Sequence, residues 1–493
     1  MPDAYTNLDQ IFLAGKWREG TGKTLKNTNP YNGETIFEMK AATASDVDEA
    51  CKAAKKAQAD WAALAPSARA AKMSAMADCL EARREEVMGW ITREIGGTQV
   101  KAALEVQLVL GVLQEAAVLP FMVEGRILPE DMPGKESRSY RQPVGVVALI
   151  SPWNFPLQLT ARTLAPALAV GNGVVLKPAS DSIVTGGTIF AKLVEEAGLP
   201  QGLVSVLPGG GSDIGTALIE HEIPRLVSFT GSTPVGRGIA ETVSKSPILK
   251  QLELELGGNG PIVVLDDADI DNAVDAALWG KFMHAGQICM AINRIIVDDG
   301  VFDAFVDKFV ERARALKVGD PSKPDTFVGP LVNEDQADGV MELIQKAKDE
   351  GAECRLGGDR DGLVIPPHVF VDVAEDSCLC TNEIFGPVAP IIRAKNEEDA
   401  LRLANKTEYG LSSAVFTRDI ERGVAFAKKV EAGMTHVNDQ PVNDSPFSPF
   451  GGEKNSGIGR FNGRWAVDAF TTDHWISIQR EPRQYPFSLD DLG

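Results

Sequence analysis

Three observations in this 493-residue sequence predict an α/β fold with two α/β units and a small β arm. Short, wholly apolar runs recur beyond Pro143, and stretches with helical spacing separate them. One extended segment, RILPEDMPGKESRSYRQP, belongs to neither unit. Apolar runs of this kind are buried on both faces, as strands of parallel sheets are, and their alternation with helices implies a doubly wound sheet. Hydrophobic residues make up 44% and charged residues 24%, enough apolar material for large cores without low-complexity sequence.

The elements follow in order. IFLAGKWREG and TGKTLKNTNPYNGETIFEM, within residues 10–38, carry short apolar runs broken by Gly, Asn and Pro and read as hairpins. From about Ser45 to Val118 the chain is Ala-rich with three- and four-residue apolar spacing, which predicts two or three long helices. The buried parallel strands are VGVVALI (144–150), GVVLK (173–177), GLVSVL (202–207), RLVSF (225–229) and PIVVLD (261–266). A second α/β set starts near Asp266, with RIIVDD (294–299), the helix FDAFVDKFVERARALKVG and the strand SSAVFTR (412–418), and the second unit is placed from about residue 257. The extended segment, with Tyr140 and Arg141, is suited to pair with the tail HWISIQR (474–480) or with another subunit.

The charge balance excludes some partners. With 49 basic and 69 acidic residues the net charge is -20, which repels nucleic acid and anionic membranes. No stretch approaches the roughly 18 apolar residues of a membrane span, and the start lacks a basic segment followed by an apolar core, so a cytoplasmic protein is expected. Six sparse cysteines fit free thiols in a reducing compartment. Cys378 and Cys380 lack the spacing and histidines of a zinc site, and no metal is expected.

Single residues carry weak signals. RLVSFTGSTPVGR (225–237) runs from a strand through a Gly-Ser turn into a helix, which suits a pyrophosphate at the helix amides or an ordinary βα connection. Gly209, Gly210 and Gly211 suit a plain loop. Lys177, at the end of GVVLK, is either a cation facing a ribose or phosphate or a solvated strand-end lysine. Cys289 in HAGQICMAINR is by itself a small buried hydrophobe, and Glu255 in LELELGGNGP a surface charge.

Together the motifs say more. SPWNFPL (151–157), VVLKPAS (174–180), FTGSTPVGR (229–237), LELGGNGP (254–261), GQICM (286–290), NEIFGPV (382–388) and PFGGEKNSGIGR (449–460) stand in the order found in one family. The chain resembles the aldehyde dehydrogenase superfamily from end to end, and FPL, KPAS, GQICM and HVND (436–439) look most like its bacterial benzaldehyde and vanillin branch. The resemblance implies a Rossmann-type cofactor-binding unit (1–125 and 144–256), an α/β catalytic unit (257–450), and oligomerisation segments (126–143 and 470–493) of a homodimer or homotetramer.

It also implies roles for individual residues. Cys289 is the expected nucleophile, Asn154 with the Cys289 backbone N–H the expected oxyanion donor pair, and Glu255 the expected base for hydrolysing the thioester. The last feature implies a free acid as product, since thiol-acylating relatives generally lack that acid. Ile150, Trp153, Lys177, Ser180, Gly231, Ser232, Glu383 and Phe385 are the implied cofactor contacts. Strictly NAD-dependent members commonly carry a glutamate where this chain has Ser180; a neutral hydroxyl removes the repulsion of a 2′-phosphate, so NAD or NADP is expected. Phe155, Leu159 and Arg162 are the implied substrate-channel positions, suited to an aromatic or medium aliphatic aldehyde. Arg162 is suited equally to a polar ring substituent or to an acid elsewhere in the chain, and it is the one named cation for the alternative of a semialdehyde substrate.

Overall fold

The computed structural model describes residues 4–485. The first sheet has eight strands in the order Lys16–Arg18, Ile11–Leu13, Val204–Val206, Gly173–Lys177, Val146–Ile150, Leu226–Thr230, Gln251–Glu255, Gly457–Ile458. The five from Val204–Val206 to Gln251–Glu255 are parallel, and antiparallel strands close both edges. The sheet is covered on both sides: Val147, Leu149, Val174 and Leu176 pack into one apolar cluster, and Val146, Ala148, Ile150 and Val175 into another. Period-2 alternation therefore exists within runs that are apolar throughout, because each face has its own core.

The chain crosses to a second sheet between Glu255 and Gly260. Its order is Glu353–Leu356, His368–Val371, Val388–Ala394, Ile292–Asp298, Gly260–Val264, Ser412–Phe416, Met434–Val437, parallel except for the first strand. A separate core packs around it. In a third sheet Thr471–Gln479 runs antiparallel along Lys135–Pro143, which also pairs with Arg126–Leu128. Of the tail expected to belong to this arm, residues 486–493 lie outside the described residues.

Two differences from the sequence reading stand out. The Ala-rich stretch forms four helices, Ala44–Ala63, Pro66–Ala82, Arg84–Ile95 and Gln99–Ala116, instead of two or three. Of the three breaks, those at Leu64–Ala65 and Arg83 are only two residues and one, too short to interrupt the apolar periodicity, and the third is Gly96–Thr98. Beyond residue 450 the chain also returns to the first unit. Gly457–Ile458 pairs with Leu254 and Glu255, and Phe461, Ala466, Val467 and Phe470 join the first core.

The helix Pro156–Ala169 is buried at every position. Its first turn is held by Glu105, whose Oε1 accepts from the backbone N–H groups of Leu157 and Gln158 at 2.9 and 3.1 Å. An anion at a helix N-terminus is stabilised by the unsatisfied amides and the dipole. Lys101 completes the anchor by pairing with the other carboxylate oxygen, both side chains being fully buried. Among the described residues no helix is long and apolar enough to cross a membrane.

Candidate active site

The carboxyl ends of the inner strands lie level. Ile150 is in register with Lys177 on one side and Phe229 on the other, Phe229 with Leu254, and Thr230 with Glu255. From Val146–Ile150 the chain proceeds outward on one side, then returns to Leu226–Thr230 on the other. Connections diverging in this way leave a crevice at the strand ends, where α/β sheets bind ligands. The segments leaving these ends supply Trp153, Asn154, Gly231 and Ser232.

Two cavities meet there. One, of about 360 Å³, is lined by Trp153, Gly231, Ser232, Gly257, Glu383 and Phe385, with Gln336 and Val340 from the helix Glu334–Asp349. The other, of about 330 Å³, has walls of Phe155, Trp279, Met283, Met290 and Phe450, with Gln158, Arg162 and Asp444 at its polar side. Cys289, Asn154 and Leu159 line both. The sulfur thus stands where a polar cleft and an aromatic-walled pocket join.

The loop that presents Cys289 is conformationally costly. His284 and Ala285 both have left-handed φ, 50° and 53°, followed by Gly286 at 74°. Non-glycine residues stay in that region only when their surroundings hold them there. Gln287 is part of that hold: its Nε2 donates to the carbonyls of His284 and Pro330 at 3.1 and 3.3 Å, and its Oε1 accepts from Val332 N–H at 3.0 Å. Gly258 supplies the other side, since a Cβ there would lie 2.2 Å from the Cys289 carbonyl oxygen.

The electrostatics keep the Cys289 thiol protonated. Burial, with Glu255 and Glu383 adding to it, pushes the Cys289 thiol up to about 12, against the opposing pull of Arg162 and a hydrogen bond from the Met290 N–H. A thiol held up in this way rests protonated at neutral pH, so the expected attack requires loss of its proton first. Asn154 is buried and its Nδ2 donates to the Gln287 carbonyl at 3.1 Å. An amide nitrogen has two hydrogens, so one remains for an oxyanion.

Glu255 is not on the wall of either cavity. Its Oε2 accepts from Arg162 Nη1 at 2.8 Å, and its Oε1 has no protein partner among the described residues. Burial, reinforced by Asp444, holds its pKa up at about 7 although Arg162 pulls it down. Of the two sequence readings of Arg162, the pairing with acids is the one found. Its second Nη donates to Asp444 Oδ2 at 2.6 Å and its guanidinium lies over the Phe450 ring, 3.6 Å from the centroid. Arg162 forms part of the pocket wall, but both terminal nitrogens are already engaged.

The expected cofactor positions divide in two. Glu383 and Phe385 lie on the cleft with Trp153, Gly231 and Ser232. Glu383 Oε1 accepts from Gly258 N–H at 2.8 Å, and Trp153 meets Phe385 edge-on with centroids 5.5 Å apart. Lys177, Ile150 and Ser180 do not line the cavity that contains Cys289. Lys177 is buried with its Nζ donating to the Pro178 carbonyl at 3.0 Å, burial lowering its pKa to about 8, and Ser180 is exposed nearby. The sequence reading missed Gln336, Trp279, Gln158 and Asp444. No local pattern marks them, because they come from four separate segments spread over some 290 residues.

Comparison with known proteins identifies the family. The sequence pattern of the aldehyde dehydrogenase family matches residues 17–476. A vanillin dehydrogenase of Corynebacterium glutamicum is 50% identical over 95% of this chain and 97% of its own length. A benzaldehyde dehydrogenase of Bacillus subtilis is 45% identical over 98% of this chain and 99% of its own. The crystal structure of an NAD-dependent benzaldehyde dehydrogenase from Corynebacterium glutamicum superposes with a TM-score of 0.90 at 47% identity, covering 97% of this chain and all of that one. The salicylaldehyde dehydrogenase of Pseudomonas putida, solved with salicylaldehyde, gives 0.94 at 37% identity over 97% and 99% of the two chains. With the pattern spanning nearly its whole length and a thiol standing at the junction of the two cavities, the chain belongs to the aldehyde dehydrogenase family.

Proposed function

We propose that this chain oxidises an aromatic aldehyde, of the benzaldehyde or vanillin type, to the carboxylic acid with NAD(P) as oxidant. One observation carries the reading: Cys289 forms part of the wall of both the polar cleft and the aromatic-lined pocket. An aldehyde in the second places its carbonyl against the thiol, with its ring among Phe155, Trp279 and Phe450. The relatives named for vanillin, benzaldehyde and salicylaldehyde support that ring.

The cleft residues fit a nicotinamide dinucleotide. Gly231 and Ser232 open the helix Thr233–Ser244, whose N-terminal amides suit a pyrophosphate. Gly257 leaves free a place beside Glu383 Oε2 that a Cβ would fill at 2.4 Å, and Glu383 and Phe385 would flank the ribose and ring. When bound, this cofactor supplies the hydride acceptor.

The chain's own residues do the rest. Cys289 gives its thiol proton to solvent through the open cleft, its Sγ adds to the aldehyde carbon, and the oxygen that gains charge is met by the Cys289 backbone N–H and the free hydrogen of Asn154 Nδ2. One such donor contributes about 3 kcal/mol at the transition state. Glu255 activates a water against the resulting Cys289 thioester. A swing of its side chain toward the sulfur is required, because the carboxylate rests on Arg162.

A semialdehyde is a poorer fit, since a substrate anion would meet Asp444 beside an Arg162 already paired. The exposed arm strand Thr471–Gln479 and the outer strand Met434–Val437 offer edges to a second copy, which supports a homo-oligomer. The test of the chemistry is stopped-flow NADH formation with benzaldehyde. Glu255→Gln should keep a burst of about one equivalent and lose steady turnover at least about 100-fold, whereas Cys289→Ala should lose both. A Cys289→Ala enzyme with wild-type turnover would refute the proposal.

A further inference from the structure

Glu255 and Arg162 face each other at 2.8 Å with side chains only 4% and 2% exposed. Left alone, so dry a pair would hold the carboxylate as a permanent anion, and its protonation would strand an unpaired guanidinium in the interior. Asp444 alters that balance. Its Oδ2 accepts from the second Nη of Arg162 at 2.6 Å and its Oδ1 from Asn462 Nδ2 at 2.9 Å, and Gln158 Nε2 also donates to it. The Asp444 side chain is itself only 6% exposed. With Phe450 beneath, the guanidinium is held from two directions that do not involve Glu255.

The cluster therefore has one cation held from both sides and two carboxylates, of which Asp444 has both oxygens engaged and Glu255 has one left over. When Glu255 binds a proton, Arg162 and Asp444 remain as a compensated pair. When it loses the proton, Arg162 still offers it a resting place.

We propose that Asp444 is a positioning residue for deacylation: by sharing Arg162 it leaves Glu255 free to swing away and to take up and return a proton. This rests on the reading of Glu255 as the base. In the step served, a water oxygen bonds to the thioester carbon while one water proton passes to Glu255. The C–S bond then breaks with its electron pair going to Cys289 Sγ, and the second water proton departs with the carboxylic acid. Glu255 afterwards returns its proton to solvent.

Other charged groups also face Glu255. Glu253 lies two residues back on the same strand, with Arg460 beside it, and Cys289 is within electrostatic reach of Glu255. Glu253 and Glu383 are carboxyls that burial pushes up to about 8 and about 7. Asp444 differs from both in being held on Arg162 itself.

The experiment is the pH profile of steady turnover with benzaldehyde and saturating NAD, with burst amplitude measured at each pH. The carboxylate is the active form and its pKa is about 7, so wild-type turnover should rise through pH 7 and be lost below it. In Asp444→Asn, Arg162 faces Glu255 undivided, and the acid limb should move down by about one unit or more, a tenfold change in proton affinity. In Arg162→Gln, Asp444 keeps its Asn462 and Gln158 donors, so the extra proton goes to Glu255 and the limb should move up by a similar amount. Asp444→Glu should restore the wild-type limb. A purely structural role would lower turnover without moving the limb in opposite directions.

An Asp444→Asn limb that stays put or rises overturns the proposal. Should that variant not fold, an Arg162→Gln limb that fails to rise does the same. Steady turnover retained in Glu255→Gln refutes the base reading itself. Loss of turnover there, with unmoved limbs in the other variants, refutes only the role of Asp444.

Discussion

Gly257 and Gly258 are neighbours, neither has a left-handed φ, and an alanine at each should damage a different half of the reaction. At Gly258 the new Cβ meets the Cys289 carbonyl oxygen at 2.2 Å, backbone against backbone. Real Cβ atoms stay beyond 3.0 Å, so the nucleophile loop must retreat by roughly 0.8 Å in a packed interior. Overpacking of this kind costs about 1–3 kcal/mol of stability, and a displacement near 1 Å at a reacting atom costs about 100-fold in rate. At Gly257 the Cβ meets Glu383 Oε2 at 2.4 Å, the far end of a flexible side chain. Glu383 yields, so folding should change by less than about 1 kcal/mol while the KM for NAD rises about tenfold. Thermal unfolding, burst rate at saturating NAD and KM for NAD separate the two. Gly258→Ala should lose burst rate with KM nearly unchanged, and Gly257→Ala should do the reverse. A wild-type burst rate in Gly258→Ala, or the same pattern in both variants, would show that the two contacts do not govern nucleophile and cofactor separately.

Three further outcomes are expected. Glu105→Ala strands the fully buried Lys101 ammonium and two amides at the start of the helix carrying Arg162, and denaturation should show a loss of about 3–5 kcal/mol; a loss under about 1 kcal/mol would contradict the anchor. Ser180→Glu should cut kcat/KM with NADP about tenfold or more and leave NAD within about twofold, because the new anion repels only the 2′-phosphate; equal effects on both cofactors would place Ser180 elsewhere. Trp475→Glu with Ile476→Lys puts charge on the exposed arm strand, and light scattering should report a smaller assembly than wild type; an unchanged mass would remove the arm from the interface.

Legibility in the sequence followed the range of the interactions involved. Val146–Ile150 and Gly173–Lys177 could be read directly, because burial on both faces writes an unbroken apolar run. Cys289 and Glu255, each alone reading as a buried thiol and a surface charge, stand out in the sequence only through the order and spacing of the motifs around them and the company of Asn154. The break at Leu64–Ala65 was signalled only by Pro66, since alanine-rich spacing continues across it. Gly457–Ile458 reads as a loop because its strand character comes wholly from Leu254 and Glu255, some 200 residues earlier. Asp444 was illegible for the same reason: its bond to Arg162 spans 282 residues, and nothing around it hints at a cation.

The return of the chain to its first core has a consequence for its synthesis. The second sheet is built from one continuous stretch, Gly260 to Val437, and needs nothing later to pair its strands. The first sheet lacks an edge strand, and its core lacks Phe461 and Phe470, until residues 457–470 have been made. At about 5–20 residues per second, the ribosome needs roughly 10–40 s after Glu255 to supply them. The later-made unit is therefore positioned to finish folding first, and the first unit waits for residues 457–470. Limited proteolysis of the chain truncated after about residue 445 should find the second unit protected and the first still open; the reverse order of protection would show that the first core closes without its final strand.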